Sequence, residues 1–206
     1  MRVRRWSGNA PRGALVADAY IPVQVVFPLE EQSWGTHRSC YYKCVEPSRR
    51  VRAGVSGYTA SMVELVIDTR FGTLARVVLV SVATATRADP PPWTTVRGDP
   101  VFDLAAWDNP ASGDRCRTVD ASPMRGIDQY ETFTVVVGDR RVTLPFEGRQ
   151  VTSALQVGDH LIVLLDDAHE VSGFEFVGFS AEQWAQVEDT IQYQLAPLGR
   201  TIDNPT

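Results

Sequence analysis

Lysine is almost missing from this chain. Of its 20 basic residues, Lys43 alone is lysine and the other 19 are arginine. Guanidinium groups suit bidentate recognition of anions and carboxylates. These arginines are scattered, however, and a GC-rich coding sequence gives the same bias. Histidine is scarce too, at three residues, which leaves little material for a His-based hydrolase or metalloenzyme. Three cysteines, an odd number, make no complete disulfide framework. No run reaches the roughly 18 apolar residues of a membrane span, so no membrane partner is expected. Positive charge is also in deficit: 25 acidic against 20 basic residues give a formal charge of −5. That excludes a general basic face for nucleic acid and makes a protein with a basic surface the natural partner. The chain carries no G-x-S-x-G nucleophile elbow, no G-x-x-x-x-G-K-[ST] loop and no G-x-G-x-x-G loop. No cofactor is expected.

What is present is an ordinary globular composition, 44% hydrophobic and 22% charged over 206 residues. The first residues, MRVRRWSGNAPRG, look like the charged start of a secretion signal. The following ALVADAYIPVQVVF is broken by Asp18, Pro22 and Gln24, so it lacks a continuous apolar core. A cytoplasmic protein is expected.

The residues predict a mainly β (α+β) fold of nine to twelve strands, in antiparallel sheets built from hairpins, with one C-terminal helix packed on a sheet. The clearest signal is MVELVIDTRFGTLARVVLVSVAT, two β-branched runs around the turn residues Asp68 to Gly72. A second hairpin is expected around Gly138-Asp139, between VVV and VTL, and a third in HLIVLLDDAHEVSGFEFVGFS. In the last strand Val171, Gly173, Glu175 and Val177 alternate with Ser172, Phe174 and Phe176, which predicts a half-buried strand. Ser180 followed by Gln183 reads as a capping box. Trp184, Val187, Ile191 and Leu195 then fall at helical spacing.

Between the hairpins lies a different stretch, rich in proline and holding seven aspartates from Asp89 to Asp128. A connector of that length is unusual inside a compact domain. The domain reading is therefore 1–85 as an N-terminal β-rich module, 86–128 as a connector or ordered loop, and 129–206 as a C-terminal β-rich module with the helix. The two modules share a form. VELVIDTRFGTLARVVLV resembles LIVLLDDAHEVSGFEFVG about 98 residues on, and VQVVFPLE resembles RVTLPFEG about 118 residues on. Duplication of one β unit would produce this, and shared hairpin chemistry would produce part of it.

Three groups of residues could carry function. Asp166, Asp167 and His169, with Glu170, would serve a catalytic reading, because a carboxylate beside an imidazole makes a general acid/base pair. Four residues in one turn point in different directions, though, and Asp is favoured in turns for backbone reasons. His37, Cys40 and Cys44 would serve a metal reading. Cys40 and Cys44 on one strand lie about 13 Å apart, and a structural zinc site needs a fourth ligand such as Cys116, so no metal is expected. Asp89, Trp93, Asp99, Asp103, Trp107 and Asp108, in the Pro- and Asp-rich stretch, would serve a protein-binding reading, since tryptophan anchors contacts and aspartates match a basic partner. The preferred reading is a non-enzymatic protein-binding module, in one form an antitoxin or immunity-type protein that occludes a basic partner surface. The alternatives are an enzyme of an unfamiliar β-rich class with a cleft between the modules, and a structural or assembly subunit of a secretion or phage-like particle.

Overall fold

The computed structural model describes residues 3–5, 16–17, 24–26, 37–43, 61–68, 73–90, 92–98, 100–102, 116–121 and 124–203. They form a mainly β structure of antiparallel and mixed sheets with a single C-terminal helix, as the patterning predicts. There are sixteen strands among them rather than nine to twelve, because several pieces of only two or three residues join the sheets.

The first sheet has nine strands: β1 (Val3–Arg5), β2 (Val16–Ala17), β3 (Gln24–Val26), β4 (His37–Lys43), β5 (Met62–Asp68), β6 (Thr73–Ser81), β9 (Pro100–Phe102), β10 (Cys116–Ala121) and β11 (Met124–Tyr130). The second has seven: β7 (Ala85–Arg87), β8 (Thr95–Arg97), β12 (Val135–Val137), β13 (Val142–Pro145), β14 (Ser153–Val157), β15 (Leu161–Leu165) and β16 (Val171–Phe176). The expected hairpins are β5–β6, β12–β13 and β15–β16, each antiparallel. In the middle one Arg140 takes a positive φ of 50°, so the bend centres one residue past Gly138-Asp139. The Pro- and Asp-rich stretch supplies strands to both sheets: β8 to the second, β9, β10 and the start of β11 to the first.

The two sheets repeat one strand order. In the first, β2-β3-β6-β5-β4 are successive antiparallel neighbours. In the second, β12-β13-β16-β15-β14 are related in the same way. Each set then adds a parallel strand beyond its last member, β11 on β4 and β8 on β14. Both hairpins also carry a register shift near the turn, at Val66/Ile67 and at Leu164/Leu165. A β-bulge of this kind adds one residue to one strand and bends it. Here the added residue lies on the second strand each time, Ala75 and Ser172.

One apolar cluster joins the sheets and the helix α1 (Ala181–Leu195). Val63, Leu65 and Val77 come from the first sheet, Phe174 and Phe176 from the second, and Val187, Ile191 and Leu195 from the helix. Phe146 stacks edge-on against Phe174 at 5.9 Å between ring centres, a favoured aromatic geometry. The helix begins as its sequence demands. Ser180 Oγ accepts from Gln183 N–H at 3.2 Å, and Gln183 Oε1 accepts from Ser180 N–H at 2.8 Å.

The chain crosses between sheets at Val82–Ala83, which is buried and not in a strand. Buried backbone groups outside a ladder must find other partners. Val82 N–H donates to Gln194 Oε1 (2.7 Å), Ala83 N–H donates to Ser61 Oγ (2.9 Å), and Ala83 C=O accepts from Arg200 (2.6 Å). The helix and the segment after it therefore hold the crossing in place.

Candidate functional site

Glu175 is the least expected residue in the core. It lies on β16 in the apolar run VSGFEFVGF, yet it is only 2% exposed. Register places Thr143 beside it on β13 and Ile162 beside it on β15. An unpaired carboxylate in that position would cost several kcal/mol. Glu175 Oε2 accepts from Thr143 Oγ1 (3.0 Å) and from the indole Nε1–H of Trp93 (3.1 Å), and Arg141 Nη1 stands 3.9 Å from Oε1.

Trp93 reaches Glu175 because residues 88–90 and 92–94 run over the second face of the seven-stranded sheet. Beneath this strap is a small apolar cluster of Ala154, Ile162 and Leu164, with Trp93, Val151 and Val177 packed on it. The strap is pinned upstream as well. Arg141 donates to the Asp89 carboxylate and to the Pro90 carbonyl. The guanidinium of Arg141, then the backbone N–H of Asp139, hold the Asp89 carboxyl below the ordinary aspartate range. A lowered pKa stabilises the fold at pH above the ordinary carboxylate range, and that contribution disappears as pH falls through the lowered value. Acidification should therefore loosen the upstream end of the strap. Asp89→Asn should remove the acid-side change in tryptophan emission, while wild type keeps it; identical acid titrations of the two proteins would contradict the link.

This cover corrects the expectation for β16. The strand is buried on both faces, because the strap covers the face that would otherwise meet water. It also defines the roles of two candidate binding residues. Trp93 is half-buried and bonded to Glu175, and Asp89, though exposed, is bonded to Arg141. Asp99, Asp103, Trp107 and Asp108 lie outside the described residues.

Past its anchors the strap becomes β8, the last strand of the seven-stranded sheet. β8 pairs parallel with β14, Val96 opposite Leu155. Val96 is 55% exposed, and Arg97 bonds the exposed Asp159 at 2.9 Å. The other end of the same sheet is closed: Arg87 N–H donates to Asp203 C=O (2.7 Å) and Asp203 N–H donates to Ala85 C=O (3.0 Å) across β7.

The hairpin tip 166–170 is occupied by turn chemistry. His169 N–H donates to Asp166 C=O (3.1 Å), and Asp166 Oδ1 accepts from Glu170 N–H (2.8 Å). His169 takes a φ of 60° and is exposed, as is Asp167. A turn followed by one left-handed residue is a common hairpin closure. Behind the tip, Arg149 meets Glu131 at 2.7 Å, Glu170 at 3.3 Å and Asp166 at 3.9 Å. Burial opposes the Arg149 charge, but Glu131 and Glu170 outweigh it and raise its pKa. The acidic groups at this tip thus support an arginine.

His37 and Cys40 lie three residues apart on β4, while Cys44 lies outside the described residues. Among the described residues no three His, Cys, Asp or Glu side chains converge as a metal-ligand set. No described helix is long and apolar enough to cross a membrane. Sequence reasoning missed Glu175, Thr143 and Arg141. The available signal was the carboxylate itself, at an alternate position within an apolar strand. No protein-family model matches the chain, and no curated protein matches it.

Proposed function

We propose that this chain is a non-enzymatic protein-binding module whose contact surface centres on β8. The observation that carries the reading is the strap: Trp93 and Asp89 are fastened to the sheet, and the chain beyond them presents Val96 half-exposed at a sheet edge that is unpaired among the described residues. The use of Glu175, Glu131, Asp166 and Arg149 in contacts within the fold also favours a binding role over catalysis. The formal charge of −5 favours a partner with a basic surface, as an antitoxin or immunity-type protein would have. A cytoplasmic site of action belongs to this reading. The repeated strand order and the paired bulges support descent of both sheets from one duplicated unit.

The test is capture of a stoichiometric partner from cells of the source organism, followed by association kinetics with the purified partner. A basic partner should associate about tenfold more slowly when salt rises from low to high concentration. An association rate indifferent to salt would sink the charge-matched form. An open edge also suits an assembly subunit, and a solution mass above that of one chain would favour that reading.

A further inference from the structure

We infer that the outer edge of β8 takes up one antiparallel strand from a basic protein partner, with an apolar residue of that strand facing Val96. This rests on the protein-binding reading and names the geometry of its contact. The first argument is internal. β8 and β11 hold equivalent places, each parallel to the last strand of its five-stranded set. The far edge of β11 is filled by β10, antiparallel, from Cys116 opposite Gln129 to Ala121 opposite Met124. Among the described residues nothing fills the matching edge of β8.

The second argument is backbone direction. Gly98 N–H donates to Gln156 C=O at 3.2 Å. Successive residues of a ladder strand alternate in the direction of their hydrogen bonds, so Val96 also faces β14. The N–H and C=O groups of Thr95 and Arg97 therefore turn outward, which is the arrangement that accepts an added strand.

The third argument is side-chain chemistry. Sheet edges are commonly blunted by shortness, proline and charge. β8 has the shortness, Pro90, Pro91 and Pro92 precede it, and Arg97 supplies a charge at its end. Yet its centre is a β-branched residue at 55% exposure, which blunting would disfavour. The pairing is therefore short: a ladder over Thr95–Arg97, an apolar contact on Val96, and a cation of the partner sharing with Arg97 the Asp159 carboxylate, whose side chain is 76% exposed.

The experiment uses the full chain labelled with nitrogen-15 and a blocked peptide, Lys-Thr-Val-Thr-Lys, as the probe. With peptide about tenfold above its Kd, amide exchange at Thr95 and Arg97 should slow about tenfold, and a peptide with proline at its centre should do nothing. Thr95→Pro removes an outward N–H, together with the Thr95 Oγ1 bond to Gln156 Oε1 at 3.5 Å, while the backbone bond from Gly98 N–H to Gln156 C=O stays; Val96→Lys removes the apolar contact. Each should weaken peptide binding at least about tenfold. Peptide binding that leaves β8 exchange unchanged, or survives both substitutions, overturns the edge inference while leaving the protein-binding reading intact. Protection of β8 that grows with protein concentration alone also overturns it, because a second copy is then the occupant. If the wild-type chain binds neither peptide nor captured partner, both readings fall.

Discussion

Gly173→Ala is expected to lower stability by about 3 kcal/mol or more. Gly173 sits in β16 next to the bulge residue Ser172, at a φ of 155°. A Cβ there would stand 2.4 Å from the Leu144 carbonyl oxygen and 3.1 Å from Pro145 Cα. Both are backbone atoms of the neighbouring β13, so no side-chain rotation relieves the clash. Relief requires β13 and β16 to separate, and β16 is the centre of the seven-stranded sheet. The control is Gly148→Ala, at a φ of 72° with nothing within 4 Å. That substitution costs only the left-handed backbone penalty, about 1 kcal/mol. Urea unfolding of the two variants checks the difference. Equal shifts in midpoint would mean that β13 and β16 are not packed this closely.

Trp93→Ala is expected to cost about 3 kcal/mol, from two sources. The indole covers Ala154, Ile162 and Leu164, and it supplies one of the donors to the buried Glu175 carboxylate. Removing it exposes an apolar patch and leaves a buried charge short of a partner. Trp93→Phe separates the two, since the ring stays and the donor goes; its cost should be about 1–2 kcal/mol. The double substitution Trp93→Phe with Glu175→Gln should cost less than the sum of the single changes, because the partners act on one another. Additivity would show that Trp93 stabilises by packing alone.

Several elements were legible in the order of residues. The β5–β6 and β15–β16 hairpins announced themselves by apolar runs around turn residues, and the helix by its cap and its period. Those signals are local: a hairpin closes within a few residues, and Ser180 bonds Gln183 three residues on. The strands β7, β8 and β9 were not legible, because three residues carry no period. The site was less legible still. Asp89 and Trp93 were singled out for binding through their residue types, but the groups they hold, Arg141 and Glu175, lie 52 and 82 residues further along. The tip at Asp166–Glu170 was foreseen as a turn, and its hydrogen bonds are those of a turn.

The sequence by itself determined the fold class, the central hairpins, the helix and its start, because each follows from alternation, turn chemistry or capping within a short window. Only the tertiary structure decided which sheet each short strand joins, that a strap buries Glu175, and that β8 ends its sheet with no further strand beside it among the described residues. Those features depend on pairings between distant segments. A carboxylate in a strand is tolerable or ruinous according to the donors that folding brings to it, and Trp93 Nε1 and Thr143 Oγ1 reach Glu175 only after the sheet has formed.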